Sequence, residues 1–285
     1  MSALKRLVDS RVLAAFLIMI LTSATAFAQT KPFALEEIGR DADRYEAYLR
    51  DTYKPDGRPA KVWIKQAQKQ LFETNPTGAA ESFSTAILIE PDNAETWLAL
   101  ANALRTITPV DDNARYTLVT NASGAAYRAY RLATKKDTEA AALAVLASNL
   151  KDRAYWRPAI NAYKASLDVV EVASIRADYE QLLAEQGFRV LDYAIDSDSA
   201  TPRLCIQLSE LLRRGGEDFA KFVRVNGTDP TAVTAAGSEL CVEGLKHGQR
   251  YEVSVKAGLP SDVDETLHKS AELSIYVRDR SPQVR

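Results

Sequence analysis

Apolar positions along this chain change their spacing once. Up to about residue 186 they recur three and four apart, as on helices with one buried face; beyond Gly187 they alternate, as on strands with one wet face. Between residues 42 and 53, Tyr45, Tyr48, Leu49 and Tyr53 fall on one helical face, and Pro55-Asp56-Gly57 then turns the chain. Past Gly187 the alternation predicts strands over residues 188–195, 203–208, 222–225, 239–243, 249–257 and 272–278, with an optional short strand near Val233. Their turns carry Asn226-Gly227, Ala236-Gly237 and His247-Gly248. Six or seven short strands in about 90 residues describe a sandwich rather than a doubly wound sheet.

The helical half has its own repeat. Trp63 and Trp97 stand one 34-residue period apart, with Ala67, Ala79, Phe83 and Ala86 at packing positions between them and Pro91 ahead of the next unit. This pattern is similar to that of tetratricopeptide helix-turn-helix repeats. A second repeat opens with Trp97, Leu100, Ala101 and Leu104. Pro109-Val110-Asp111-Asp112-Asn113 interrupts its turn, read as an insertion of about 12 residues, before Ala126, Tyr130 and Ala133 resume the second helix. A third repeat places Leu143, Ala147, Leu150, Ala159, Tyr163 and Ser166 in frame. Small residues let paired helices approach closely, and aromatic ones fill the gap to the neighbouring repeat. Trp63, Phe83, Pro91, Trp97, Tyr130 and Tyr163 are therefore assigned to packing rather than to ligand contact. An amphipathic helix over residues 172–186 caps the stack, and Gly187 ends it.

Composition fixes the compartment. Lys5, Arg6 and Arg11 precede or flank an apolar run over residues 12–21, and Ala26-Phe27-Ala28 supplies a small-residue site, so a secretory signal is predicted with cleavage between Ala28 and Gln29. The apolar run is far short of the about 20 residues that cross a bilayer, and no cysteine follows the cleavage point to carry a lipid. The expectation is an exported, periplasmic protein without stable membrane insertion. A formal net charge of −2, with 26% charged and 46% hydrophobic residues, fits an ordinary folded chain and gives no basic excess for nucleic acid. The expected organisation is a signal peptide over residues 1–28, a leader with one helix over 29–56, helical repeats over 57–186, a sandwich over 187–280, and the start of a downstream segment over 281–285.

Candidate chemistry is sparse. Cys205 and Cys241 are the two cysteines, and in an exported protein such a pair is a disulfide. Each is out of phase with its apolar neighbours (Leu204, Ile206 and Leu208; Leu240 and Val242), which puts the bond on the outer face of the sheet. If the two strands are immunoglobulin strands B and E, they are sheet neighbours with α-carbons about 4.5 to 5.5 Å apart. Tyr251 opens its strand just after His247-Gly248, the arrangement of a tyrosine corner, whose hydroxyl bonds backbone upstream. His247 and His268 form no metal-ligand spacing and are read as surface residues. No phosphate loop, His-Glu-x-x-His or nucleophile elbow is present, and Asp111, Asp112, Asp262, Asp264 and Glu265 read as solvated loop acids. Neither a catalytic set, a cofactor nor a metal is predicted, and the non-enzymatic reading is preferred.

Four segments carry a family likeness: residues 188–196 (FRVLDYAID), 202–210 (PRLCIQLSE), 240–260 (LCVEGLKHGQRYEVSVKAGLP) and 276–285 (YVRDRSPQVR). Together with the repeats, they resemble the N-terminal region of bacterial alpha-2-macroglobulins, large exported endopeptidase inhibitors. The resemblance implies a first macroglobulin domain, proteases as partners and inhibition by entrapment, with a thioester of the form Cys-x-Glu-Gln in many members. Cys241-Val242-Glu243-Gly244 lacks the glutamine, and Cys205-Ile206-Gln207-Leu208 departs differently, so no trapping residue is carried over. In the resembled proteins the terminal stretch looks like the run into a next domain, so a fragment or truncated reading frame is expected. The alternative is a free-standing periplasmic tetratricopeptide adaptor that receives peptides or proteins; a hydrolase has no residue set behind it.

Overall fold

The computed structural model describes residues 31–280, so the predicted signal, its cleavage point at Ala28 and Gln29, and the 281–285 segment lie outside the described residues. Helices come first and strands second, as the change of period predicts. The helices are α1 (Glu36–Thr52), α2 (Ala60–Phe72), α3 (Pro76–Ile89), α4 (Ala94–Thr106), α5 (Asp112–Leu132), α6 (Lys136–Asp152), α7 (Trp156–Val169) and α8 (Ala173–Gln186). Side chains start three of them. Asn75 accepts from Gly78 N at 3.0 Å ahead of Pro76, Asn93 accepts from Thr96 N at 3.0 Å, and Asp111 accepts from Ala114 N at 2.7 Å, each occupying an amide that the first turn leaves open.

Consecutive helices pack as pairs, α2 on α3, α4 on α5 and α6 on α7, and the pairs stack in order. Ala67, Ala79, Phe83, Ala86, Trp97, Ala126, Tyr130, Ala147, Ala159, Tyr163 and Ser166 are buried, as the repeat frame requires. Three expectations are corrected in detail. Pro91 is exposed; its contribution is a carbonyl that accepts from Trp97 Nε1 at 2.8 Å. Trp63 is only half-buried, because α2 packs chiefly on α3, and Arg58 covers the ring at 3.8 Å. The supposed inserted loop is mostly helix: with Asp111 as its cap, α5 runs 21 residues and overhangs its partner, leaving Val110 and Tyr116 exposed.

Helix α1 begins six residues earlier than predicted and buries Ile38, Ala42, Tyr45 and Leu49. Tyr48, expected on that face, stands at its flank and is 51% exposed. The helix lies against α5 where Gly124 leaves room: a Cβ there would come within 3.0 Å of Ala42 Cα. Arg153 ties it to α6 through Asp41 at 2.8 Å, both side chains nearly inaccessible, and Arg128 reaches Asp43 at 2.7 Å and Glu46 at 2.6 Å. At the other end α8 stops at Gly187. Gly187 takes φ −70°, and glycine is needed there because a Cβ would lie 2.4 Å from Leu183 O.

The strands are β1 (Val190–Asp196), β2 (Arg203–Leu208), β3 (Val223–Val225), β4 (Ala232–Ala236), β5 (Glu239–Glu243), β6 (Gln249–Val255) and β7 (Ala271–Val277), all paired antiparallel. The optional strand near Val233 is real. One sheet has the order β1-β2-β5-β4 and the other β3-β6-β7, the ABED and CFG arrangement of an immunoglobulin-like sandwich. Leu204, Ile206, Leu240, Val242, Val253, Val255, Ile275 and Val277 fill the space between them. Directly after β3 the hairpin-like turn at Asn226 and Gly227 takes positive φ at both residues, closed by the Val225–Thr228 bridge, and Asn226 Oδ1 accepts from Glu252 N of β6 at 2.9 Å.

Candidate functional site

Cys205 and Cys241 sit opposite each other on β2 and β5, in direct register and bonded, with α-carbons 4.0 Å apart rather than the 4.5 to 5.5 Å expected. Ala194 of β1 and Thr234 of β4 flank them in the same row across the outer face of the sheet, and this cover leaves Cys241 buried although it is outside the core. Glu239 Oε lies close to both sulfurs. Because each sulfur is bonded to the other, neither offers the thiolate that a metal ion takes from cysteine, and the trio is a structural staple.

Tyr251 makes the predicted corner. Its hydroxyl accepts from Lys246 N at 2.9 Å, five residues upstream, and fixes the entry to β6. His268 is exposed, whereas His247 is half-buried with Nε2 2.9 Å from Ser197 O, which ties the turn before β6 to the loop after β1. Of the acids read as solvated, Asp262 and Asp264 are exposed, Asp111 is the α5 cap, and Glu265 is withdrawn from solvent for a reason the sequence did not reveal.

That reason is Arg157, in the first turn of α7. Its Nε and Nη2 donate to Glu210 Oε1 at 3.0 and 2.6 Å, and its Nη1 donates to Glu265 Oε1. Glu265 Oε2 also accepts from Phe188 N at 3.0 Å, so one carboxylate joins the third helix pair, the end of the helical block and a loop of the sandwich. The side chains are 24% (Arg157), 22% (Glu210) and 11% (Glu265) exposed. Burial works against the Arg157 charge, but the hydrogen bonds and charges of Glu265 and Glu210 outweigh it and hold the guanidinium above its ordinary pKa. Arg189 continues the seam: Nη1 donates to Gln186 O at 2.8 Å, and its backbone N donates to Ser209 Oγ at 3.0 Å. Beside this clamp lies a cleft of about 540 Å³, walled by Tyr155, Trp156, Arg189, Leu191 and Ser209.

The packing aromatics behave as core groups. Burial raises the hydroxyl pKa of Tyr45, Tyr130 and Tyr163; the Tyr130 hydroxyl accepts from Phe33 N at 2.9 Å. Chemically, the arrangement gives a helical block fastened to a sandwich by a three-residue ionic seam, with grooves on the helical side and at the junction. None of the described helices is long and apolar enough to cross a membrane. No protein-family model matches the chain, and no curated protein matches it.

Proposed function

We propose that this chain is the leading segment of an exported, macroglobulin-like endopeptidase inhibitor, acting in the periplasm. The observation that carries the reading is the ABED and CFG strand order with its corner tyrosine, because three of the segments of family likeness coincide with β1, β2, β5 and β6 of that sandwich. The outer-face disulfide suits an oxidising compartment. In this reading the chain contributes a scaffold, and the proteolytic bait and any thioester belong to other parts of the inhibitor. A reducing denaturing gel of the periplasmic fraction, probed with antibody to residues 29–285, tests it. A band many times larger than 31.4 kDa is expected.

A band just below that mass would instead favour a free-standing adaptor. That second reading rests on the helical stack, whose grooves suit peptides or partner proteins. Binding of a defined partner by the helical part, without any effect on proteases, would support it.

A further inference from the structure

The chain that leaves β2 is held at first: Asp262 N donates to Leu211 O and Leu212 N donates to Gly237 O, both at 2.8 Å. It is held again at Phe219–Phe222, a short turn of 3-10 helix that Asp218 Oδ1 begins by accepting from Ala220 N at 3.1 Å and that leads into β3. Between these anchors runs Arg213-Arg214-Gly215-Gly216-Glu217. Among the described residues, no backbone hydrogen bond reaches an amide or a carbonyl from Arg214 to Gly216. Gly215 and Gly216 take φ of 120° and 86°, and a Cβ on either would meet nothing within 4 Å.

The two arginines differ. Arg213 donates from Nη2 to Asp264 Oδ1 at 3.2 Å, whereas Arg214 is exposed and has no side-chain partner among the described residues. An endopeptidase takes its substrate as an extended strand, so a cut needs a segment that leaves its neighbours at little cost. Exposed loop tips of small and polar residues meet that need. Elsewhere, proline, which lacks an amide and fixes its own backbone, follows Lys31, Lys54, Arg58 and Arg157. Lys246 is held by the corner tyrosine. Lys269 is exposed in a loop, but it stands between Leu267, whose backbone pairs with Gly258 and Leu259, and Ser270, whose Oγ accepts from Ala257 N. Most other lysines and arginines lie in helices or strands.

We propose that this loop is a processing site for an arginine-specific serine endopeptidase, one whose side-chain pocket ends in a carboxylate, and that the bond cut joins Arg214 to Gly215. Water supplies the hydroxyl that completes the Arg214 carboxyl group and the proton that completes the Gly215 amine; nothing is oxidised or reduced. The fold makes this cut a conversion rather than a loss. It falls inside the span closed by the disulfide of Cys205 and Cys241, so the two pieces stay covalently joined. The ladders of both sheets lie outside the loop, and β2 stays paired with β5 across the cut. The product is a two-chain sandwich with a new carboxylate and a new ammonium group on its surface. The site is independent of the inhibitor reading, since it needs neither bait nor closure.

The test treats the full native chain with trypsin and, in parallel, with chymotrypsin at equal activity, read on reducing and non-reducing gels with N-terminal sequencing. Trypsin's first cut between residues 31 and 277 is expected after Arg214, at least about tenfold faster than any later one, because helices and ladders must unfold before they are cut. The product should run as one band without reductant and as two with it, the second piece beginning at Gly215. Chymotrypsin should cut the loop at least about tenfold more slowly, since Leu211, Leu212 and Phe219 are anchored. Arg214→Gln changes an exposed side chain without partners, and should slow the tryptic cut at least about tenfold. The nicked wild-type protein should keep its circular dichroism. A first cut elsewhere in that range, such as after Lys269, an unchanged rate in Arg214→Gln, an equally fast chymotryptic cut, or loss of the dichroism on nicking would each overturn the assignment.

Discussion

Replacing Arg157 with alanine removes the one side chain that bridges helix pair and sandwich at Glu210 and Glu265. Exposed ion pairs are worth about 0 to 1 kcal/mol, whereas breaking a buried pair costs about 3 to 5 kcal/mol. The three side chains are 24%, 22% and 11% exposed, which lies between these cases and nearer the buried one. Three charge-assisted hydrogen bonds are lost, but water reaches the abandoned carboxylates in part, giving a net loss of about 2 kcal/mol. For a chain of this size that lowers Tm by about 4 to 8 °C. Differential scanning calorimetry should show more than a shift: with the seam broken, the helical block and the sandwich should melt in separable transitions. A double-mutant cycle isolates the pair, and coupling between Arg157→Ala and Glu265→Gln should be about 1 to 2 kcal/mol and exceed that with Glu210→Gln, since Glu265 is the less exposed. A single unshifted transition, or coupling below about 0.3 kcal/mol, would refute the claim that this seam joins the two parts.

The other predictions concern the two parts separately. Replacing both Cys205 and Cys241 with alanine releases a cross-link spanning 36 positions and should destabilise the sandwich by about 4 kcal/mol, read by urea unfolding with and without reductant. Tyr251→Phe removes the bond to Lys246 N and should cost about 1 kcal/mol by the same assay. Gly124→Val drives a side chain into α1 at Ala42 and should cost about 1 to 3 kcal/mol, seen as loss of helical circular dichroism at lower temperature. Because the hydroxyls of Tyr45, Tyr130 and Tyr163 ionise less readily folded than unfolded, stability is intact below the unfolded value near pH 10 and falls as pH rises past it. Tyrosinate absorbance should then rise together with unfolding, and Tyr45→Phe should blunt the alkaline fall.

Local patterns were legible and distant partners were not. Strands β2 and β5 fall where the alternation puts them, since inward Leu204, Ile206, Leu240 and Val242 mark the phase and the cysteines occupy the opposite one. The repeat frame likewise located the buried alanines and aromatics, because close helix approach tolerates few alternatives there. The α5 overhang was misread because Pro109 and two aspartates look like loop, yet Asp111 is a cap, and a cap is where a helix starts. Tyr48 and Trp63 show that a face can be named from period while its coverage depends on whether a neighbour is there. Arg157, Glu210 and Glu265 had no signal at all: charged residues in a first turn and in two loops, 53 and 108 positions apart, meet only after both parts have folded.

Inhibition itself is the most direct test of the proposed role. The native protein, purified whole, should be mixed with an endopeptidase and assayed on a large protein substrate and on a small fluorogenic peptide. Entrapment predicts that digestion of the protein is blocked while the small peptide, free to reach the enclosed enzyme, is still cleaved. Undiminished digestion of both would contradict the inhibitor reading, and equal loss of both would contradict entrapment.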